Sequence, residues 1–333
     1  MTKVALVLTV KNEDRILRYN LLYHHAVGAA HIFVYFDNAT DGGKDSIKDL
    51  EFVTIQNSVA KEKFENLPFL DKFTSQAIEH HTARQCLNTY DALLNSREMG
   101  YDWLISIDAD ELVCTTKEEP SDLTSFFAEI DPTVDVVNLK TFEALQQRVS
   151  YQNVFSDETY FKTTHRYENR FEKILKAFYN PFTKSKQNFA FWYGQHLGKG
   201  ALRVSSDIIP HNVHRYAMQS GEKPKTADLG MVLHYHAYDA EDFIKKFTNF
   251  SNHPDTFLSG NAVKSQKLLL RDVVNKAEFT QEQLIQYFED NLLFTPSEVE
   301  KLKRNKYLFF MTRKPAALIQ INSVQKVFNN MTS

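Results

Sequence analysis

Residues Val4 to Val10 read VALVLTV, six apolar residues and one threonine with no charge among them. A strand with one wet face alternates apolar and polar residues. This run instead needs cover on both faces, as a parallel strand inside a helix-clad sheet has. The next residues keep that architecture: Asn12 is placed to cap a helix with Glu13 and Asp14 in its first turn, and Leu17, Leu21 and Leu22 keep helical spacing up to Gly28. HIFVYF, from His31 to Phe36, is a second strand before the turn-rich DNATDGG, and Phe52–Gln56 is a third. Thr74–Arg97 has a helical pattern and leads to the apolar strand WLISI, Trp103 to Ile107, with Val134–Leu139 as a further strand. The alternation predicts an α/β, Rossmann-like, mostly parallel central sheet flanked by helices. Beyond an irregular stretch from Thr141 to Gly198, of the kind that forms loops over a site, GKGALRV and MVLHYHAY read as strands. The chain after Asp239 reads as helical, over Glu241–Asn249, Ala262–Lys276, Glu282–Asp290 and Ser297–Arg304.

Composition narrows the partners. A net charge of -3 over 333 residues provides no field for nucleic acid, and the basic groups Lys184–Lys186 and Lys301–Arg304 read as solvated faces. Cys86 and Cys114 form neither a zinc pattern nor a disulfide framework, which suits a reducing compartment. The apolar start is short for a signal peptide, and no stretch approaches the ~20 apolar residues of a membrane span. The expectation is a soluble cytoplasmic protein, with at most peripheral contact at the cytoplasmic face of the inner membrane. The 26 Phe and 15 Tyr serve either a core or an exposed surface for sugar or lipid.

Three polar clusters fall at strand ends, where open α/β sheets bind ligands: Lys11–Asn12–Glu13, Asp37–Asn38 and Asp108–Ala109–Asp110–Glu111. Ionised carboxylates a few Å apart repel unless a cation lies between them. Mn²⁺ or Mg²⁺ suits oxygen ligands and commonly bridges carboxylates to phosphates. The alternative is a capped turn in which Asp108 or Asp110 accepts from backbone amides.

The stretch TVKNEDRILRYNLLYHHAVGAAHIFVYFDNATDGG resembles the opening of glycosyltransferase family 2 and its relatives, including the family 92-like branch. The shared features are the strand into Lys-Asn-Glu, the His24–Gly28 spacing and the strand into Asp-Asn. YDWLISIDADELV is similar to the family's Asp-x-Asp-Glu-Phe strand end, with Leu112 in place of Phe. GKGALRV with HNVHR, and VLHYHAYDAEDFIKKF, resemble its later blocks. The matches run in the family's order over residues 3 to 250, which implies a GT-A-type domain over 1–250 and a helical C-terminal extension over 251–333.

The resemblance implies a nucleotide-sugar donor, UDP-linked, and a metal cofactor, Mn²⁺ or Mg²⁺. By position, Thr9, Lys11, Asn12, Glu13, Asp37 and Asn38 line the nucleoside pocket, with Asp37 accepting from the base edge. Arg84 either reaches the base or a phosphate or makes a surface ion pair. Asp110 is the main metal ligand and Asp108 contacts ribose or metal. His234, with His236 as the alternative on the same face of an extended strand, completes the metal shell, or is a core histidine. Lys199 and Arg203 neutralise the leaving diphosphate or lie on an exposed strand face. The acceptor is a saccharide or a glycolipid, the destination a bacterial surface polysaccharide or lipopolysaccharide, and the outcome inverting. The family's downstream Glu-Asp pair is missing, which leaves Glu111, Glu143 and His214 as candidate bases; His211 competes with His214 for the lone-histidine position. Rival readings are metal-dependent phosphoester hydrolysis or nucleotidyl transfer, and a binding relative without catalysis.

Overall fold

The computed structural model describes residues 1–162, 197–258, 260–263, 265–303, 306–308, 312–314 and 318–332. Lys184–Lys186, Arg304 and most of the Thr141–Gly198 stretch lie outside the described residues. The strands in chain order are β1 Val4–Val10, β2 Ala29–Phe36, β3 Val53–Asn57, β4 Trp103–Ile107, β5 Glu111–Cys114, β6 Val136–Ala144, β7 Tyr160–Lys162, β8 Lys199–Arg203, β9 Ile208–Asn212, β10 Arg215–Met218, β11 Thr226–His234, β12 Lys306–Leu308, β13 Thr312–Lys314 and β14 Leu318–Gln320.

Ten of these strands form one sheet, ordered β14-β7-β6-β8-β4-β1-β2-β3, with β11 on β6 and β5 on β11. Among them β5, β7 and β8 run against the other seven. The α/β sheet is therefore mostly parallel, as the unbroken apolar strands required. In β1, Val4, Leu6, Leu8 and Val10 enter one core and Ala5 and Val7 the other. The helix Asp14–Ala26 covers the first face with Ile16, Leu17 and Leu21, and the helix His81–Glu98 covers the second with Ala83, Cys86 and Leu87. Among the described residues most of the aromatic load is core: Trp103, Tyr23, Tyr35, Tyr235, Phe33 and Phe155 are among the largest fully buried side chains.

Three expectations need correction. Asn12 does not cap the first helix. It sits at φ 57°, its Oδ1 accepts from the Thr40 backbone amide at 2.8 Å, and Asp41 Oδ2 accepts from the Asp14 amide at 2.8 Å instead. The DNATDGG loop folds back to supply the cap. The expected helix over Thr74–Arg97 is two pieces, Asp71–Thr74 and His81–Glu98, because Arg84 turns back to donate to the Ala77 carbonyl at 2.5 Å and holds the intervening loop. The tail is not wholly helical. Beside the β12–β13 hairpin, β14 pairs with β7. The helix Ser323–Thr332 then puts Val324, Val327 and Phe328, spaced i, i+3 and i+4, into the main core. Three-residue strands are too short to show a period.

Candidate active site

The parallel strands β1, β2 and β4 bring all three polar clusters to one rim. Strand register adds a fourth set. His234 faces Glu111 on β5 and Glu143 on β6, and Glu143 faces Lys162 on β7, so one row crosses four strands. The antiparallel β8 pairs Gly200 with Ser106, which delivers Lys199 to the end of β4 where the acidic turn begins.

The turn is built from inside the protein. The Glu111 amide donates to the Asp108 carbonyl at 3.1 Å, and the buried Asn20 amide donates to the carbonyls of Ala109 and Glu111 at 2.9 and 2.8 Å. Glu111 is itself buried; its Oε2 accepts from the Asp108 amide at 2.9 Å and lies 3.3 Å from Lys199 Nζ. Burial pushes the Glu111 carboxyl up to about 7 against the pull of Lys199. Asp108 accepts from Lys199 at 2.7 Å and from Gln85 at 2.6 Å, yet its side chain is 40% exposed and faces out of the turn.

Asp110 turns the other way. Its Oδ2 pairs with Lys246 and lies 3.3 Å from His234 Nε2, while His234 Nδ1 lies 2.9 Å from Glu143 Oε1. Burial favours neutral His234, but Glu143 and Asp110 outweigh it and hold its pKa well above the ordinary imidazole value. Burial likewise opposes an ionised Asp110, and Lys246 and His234 together keep it well below the usual carboxylate range. The expected extension of β11 to His236 does not occur. The strand ends at His234 and Ala237 turns at φ 46°, yet both histidines lie near Asp110. One donor atom each from Asp110, His234 and His236 lie within 4.8 Å of one another. Two imidazoles and a carboxylate suit Mn²⁺ better than the oxygen-demanding Mg²⁺.

The helix Ala240–Asn249 lies across this rim. Asp239 caps it, accepting from the Asp242 amide at 2.9 Å, and Arg15 holds Asp239 with two hydrogen bonds of 3.2 and 2.8 Å. Phe243 and Phe247 bury the inward face, which turns Lys246 toward Asp110. Lys245 pairs with Glu13 at 2.6 Å and Asp242 at 2.8 Å, and Asn249 accepts from Asn12 at 3.3 Å. The ends of β1 and β4 are thus tied to one helix. Burial raises the Glu13 carboxyl despite Lys245.

At the end of β2, Asp37 is clamped by Arg84 through Nε at 2.6 Å and Nη2 at 2.9 Å. Of the two readings of Arg84, the ion pair is the one observed, and it is buried rather than superficial. Thr9 Oγ1 accepts from Asn88 at 2.9 Å, Asn38 stands at φ 53° beside Asp37, and Lys11 is exposed on the rim.

Several expected residues fall elsewhere. Arg203 pairs with Trp103 at the start of β4, the opposite end of the strand from Asp108; its guanidinium donates to the Val134 and Asp131 carbonyls and stacks 4.4 Å over the Trp103 ring. The antiparallel direction of β8 carries it away from the rim where Asp108 lies. Asp108 lies outside the donor group of Asp110, His234 and His236, and its carboxylate is paired with Lys199 and Gln85. Of the two carboxylates offered as bases, Glu143 lies against His234 and Glu111 against the Asp108 amide and Lys199. His214 lies close to Lys199: Nδ1 faces the Gly198 carbonyl at 2.9 Å, and burial with the Lys199 charge lowers its pKa to about 4. His211 is exposed and its carbonyl accepts from Lys72 at 3.3 Å.

Sequence reasoning missed Lys245, Lys246, Gln85 and Asn249. The signal for Lys246 was present: it stands three residues after Phe243 and four after Asp242, on the side of the helix that Phe243 turns inward.

Residues 9–264 match the model of glycosyltransferase family 92. Two glycosyltransferase-like proteins of Arabidopsis thaliana are each 21% identical, one over 94% of this chain and 71% of its own length, the other over 83% and 53%. Among solved structures, the mannosyltransferase PcManGT from Pyrobaculum calidifontis, in complex with GDP-Man and Mn²⁺, is 12% identical with a TM-score of 0.35, over 85% of this chain and 69% of that one. Glucosyl-3-phosphoglycerate synthase from Mycobacterium tuberculosis is 13% identical with a TM-score of 0.33, over 76% and 81%.

Proposed function

Because this chain belongs to glycosyltransferase family 92, we propose that it moves a sugar from a nucleoside diphosphate carrier to a saccharide or glycolipid hydroxyl, with a divalent metal held by Asp110, His234 and His236. The observation that carries this reading is the convergence of those three donors at the rim of the sheet. The bound ion would supply positive charge to the leaving diphosphate. Lys199, fixed between Asp108 and Glu111, adds a second cation there. Asp108, the exposed carboxylate of the turn, is suited to a ribose hydroxyl.

For the acceptor we assign His214 as base. Its Nδ1 faces a carbonyl and so carries the proton, which leaves Nε2 free of one, as an inverting displacement requires. Glu143 acts through His234 rather than on substrate. Transfer is assigned to residues 1–250, and residues 251–333 buttress them. A UDP-linked donor rests on the family resemblance, and a cytoplasmic setting rests on the lone Cys86 and Cys114; no described helix is long and apolar enough to cross a membrane. A bacterial surface glycan rests on the resemblance alone, whereas the two relatives are plant proteins.

The test is a panel of nucleotide sugars with acceptor glycans, with and without Mn²⁺. Nucleoside diphosphate should appear only with acceptor present, and Asp110→Asn should abolish it. Full transfer by Asp110→Asn sinks the assignment; pyrophosphate release points instead to nucleotidyl transfer.

A further inference from the structure

We propose that Lys246 is the resident counter-ion of Asp110, that a divalent cation binds only by displacing it, and that Lys246 thereby sets the metal affinity of the site. This rests on the metal-dependent reading above. Nζ of Lys246 and Nε2 of His234 approach the same atom, Oδ2 of Asp110. Asp110 also contributes to the three-residue donor group. An ammonium and a dication next to one carboxylate oxygen repel strongly at the low effective dielectric of a buried site. One of them has to leave.

The structure shows which can. The Lys246 side chain is 25% exposed and that of Asp110 7%, so the lysine has a route to solvent and the carboxylate does not. Phe243 and Phe247 anchor the helix in its own core, so the side chain can swing while the backbone stays. Lys245 behaves differently. Its ammonium is committed to Glu13 and Asp242, and it serves as a control for general loss of positive charge.

The experiment measures Mn²⁺ affinity of the full chain without nucleotide, by electron paramagnetic resonance of the free ion, so that the readout is independent of turnover. Lys246→Met should bind Mn²⁺ roughly tenfold tighter than the parent protein. Lys246→Arg, which keeps the charge, should stay close to the parent, and Lys245→Met should shift less than Lys246→Met. Lys246→Gln is the second neutral variant should the Met form fail to fold. An unchanged or weaker Mn²⁺ affinity in the neutral Lys246 variants, with the parent protein binding Mn²⁺, overturns the inference and leaves the metal reading intact. Mn²⁺ bound by neither parent nor variant overturns both, and makes the lysines permanent counter-ions of the acidic turn.

Discussion

Oε1 of Glu143 lies 2.9 Å from Nδ1 of His234, and the two residues face each other across β6 and β11. The carboxylate fixes the ring so that Nε2 points to Asp110. A carboxylate behind a metal-binding histidine typically contributes about 10–100-fold to affinity or activity. Glu143→Gln keeps an acceptor for Nδ1–H but loses the charge. We predict a loss in that range in both Mn²⁺ affinity and transfer rate, with the thermal midpoint little changed. Parent-like values on both measurements would remove Glu143 from the site.

Lys199 is 1% exposed and lies between Asp108 and Glu111. Removing one partner of a buried ion pair strands the other, at about 3–5 kcal/mol. Lys199→Met should lose stability of that order in urea unfolding. Adding Glu111→Gln should restore much of the stability without restoring transfer, because the cation for the diphosphate is still missing. Recovery of activity in the double variant would contradict the role given to Lys199.

The Arg84–Asp37 pair is bidentate, with side chains 19% and 4% exposed. Arg84→Met leaves a buried carboxylate and should cost about 3–5 kcal/mol, whereas Arg84→Met with Asp37→Leu should cost much less than the sum of the single changes. A double-mutant cycle by denaturant unfolding decides it; simple additivity means the pair carries no coupling.

His24 ties the first helix to β5. Its Nδ1 lies 2.9 Å from the Asn20 carbonyl and its Nε2 accepts from the Val113 amide at 3.0 Å, so the ring is neutral with the proton on Nδ1. Burial lowers its pKa to about 3. Below the unfolded value of about 6.5 the unfolded chain takes up a proton that the folded ring refuses. The contribution of His24 is therefore complete above that pH and is lost as pH falls toward 3, at up to about 1.4 kcal/mol per pH unit. His24→Gln, which keeps a donor and an acceptor, should flatten the stability profile between pH 4 and 6 by roughly that slope. An identical profile for parent and variant would show that other groups set the acid limit.

Gly198 precedes Lys199 at φ +68°, and a Cβ there would lie 2.3 Å from the Leu139 carbonyl oxygen. Gly198→Ala therefore combines backbone strain with a clash against main chain. It should cost more than the about 1 kcal/mol of a left-handed alanine alone and should displace Lys199. Calorimetric melting and the transfer rate should fall together; an unchanged melting temperature would show that the loop relaxes freely.

The sequence by itself determined the layered fold and the rim. VALVLTV and WLISI are apolar without alternation, so they had to be parallel strands buried on both faces, and the acids at their ends had to emerge at one edge. The acids Asp108 and Asp110 were legible at the end of an apolar strand, whereas His234 and Lys199 were singled out by the family resemblance and not by any period in their own segments. Only the tertiary structure decided what neutralises the acids. Lys246 approaches Asp110 because a helix 136 residues later in the chain lies across the rim, and contacts at that separation leave no local period. Tertiary pairing also separated Lys199 from Arg203. The two sit on one short strand, yet its antiparallel direction puts the first at the site and the second at the far end of the sheet. A chain's local pattern sets which face a side chain takes, while the partner it meets there depends on how distant segments pack.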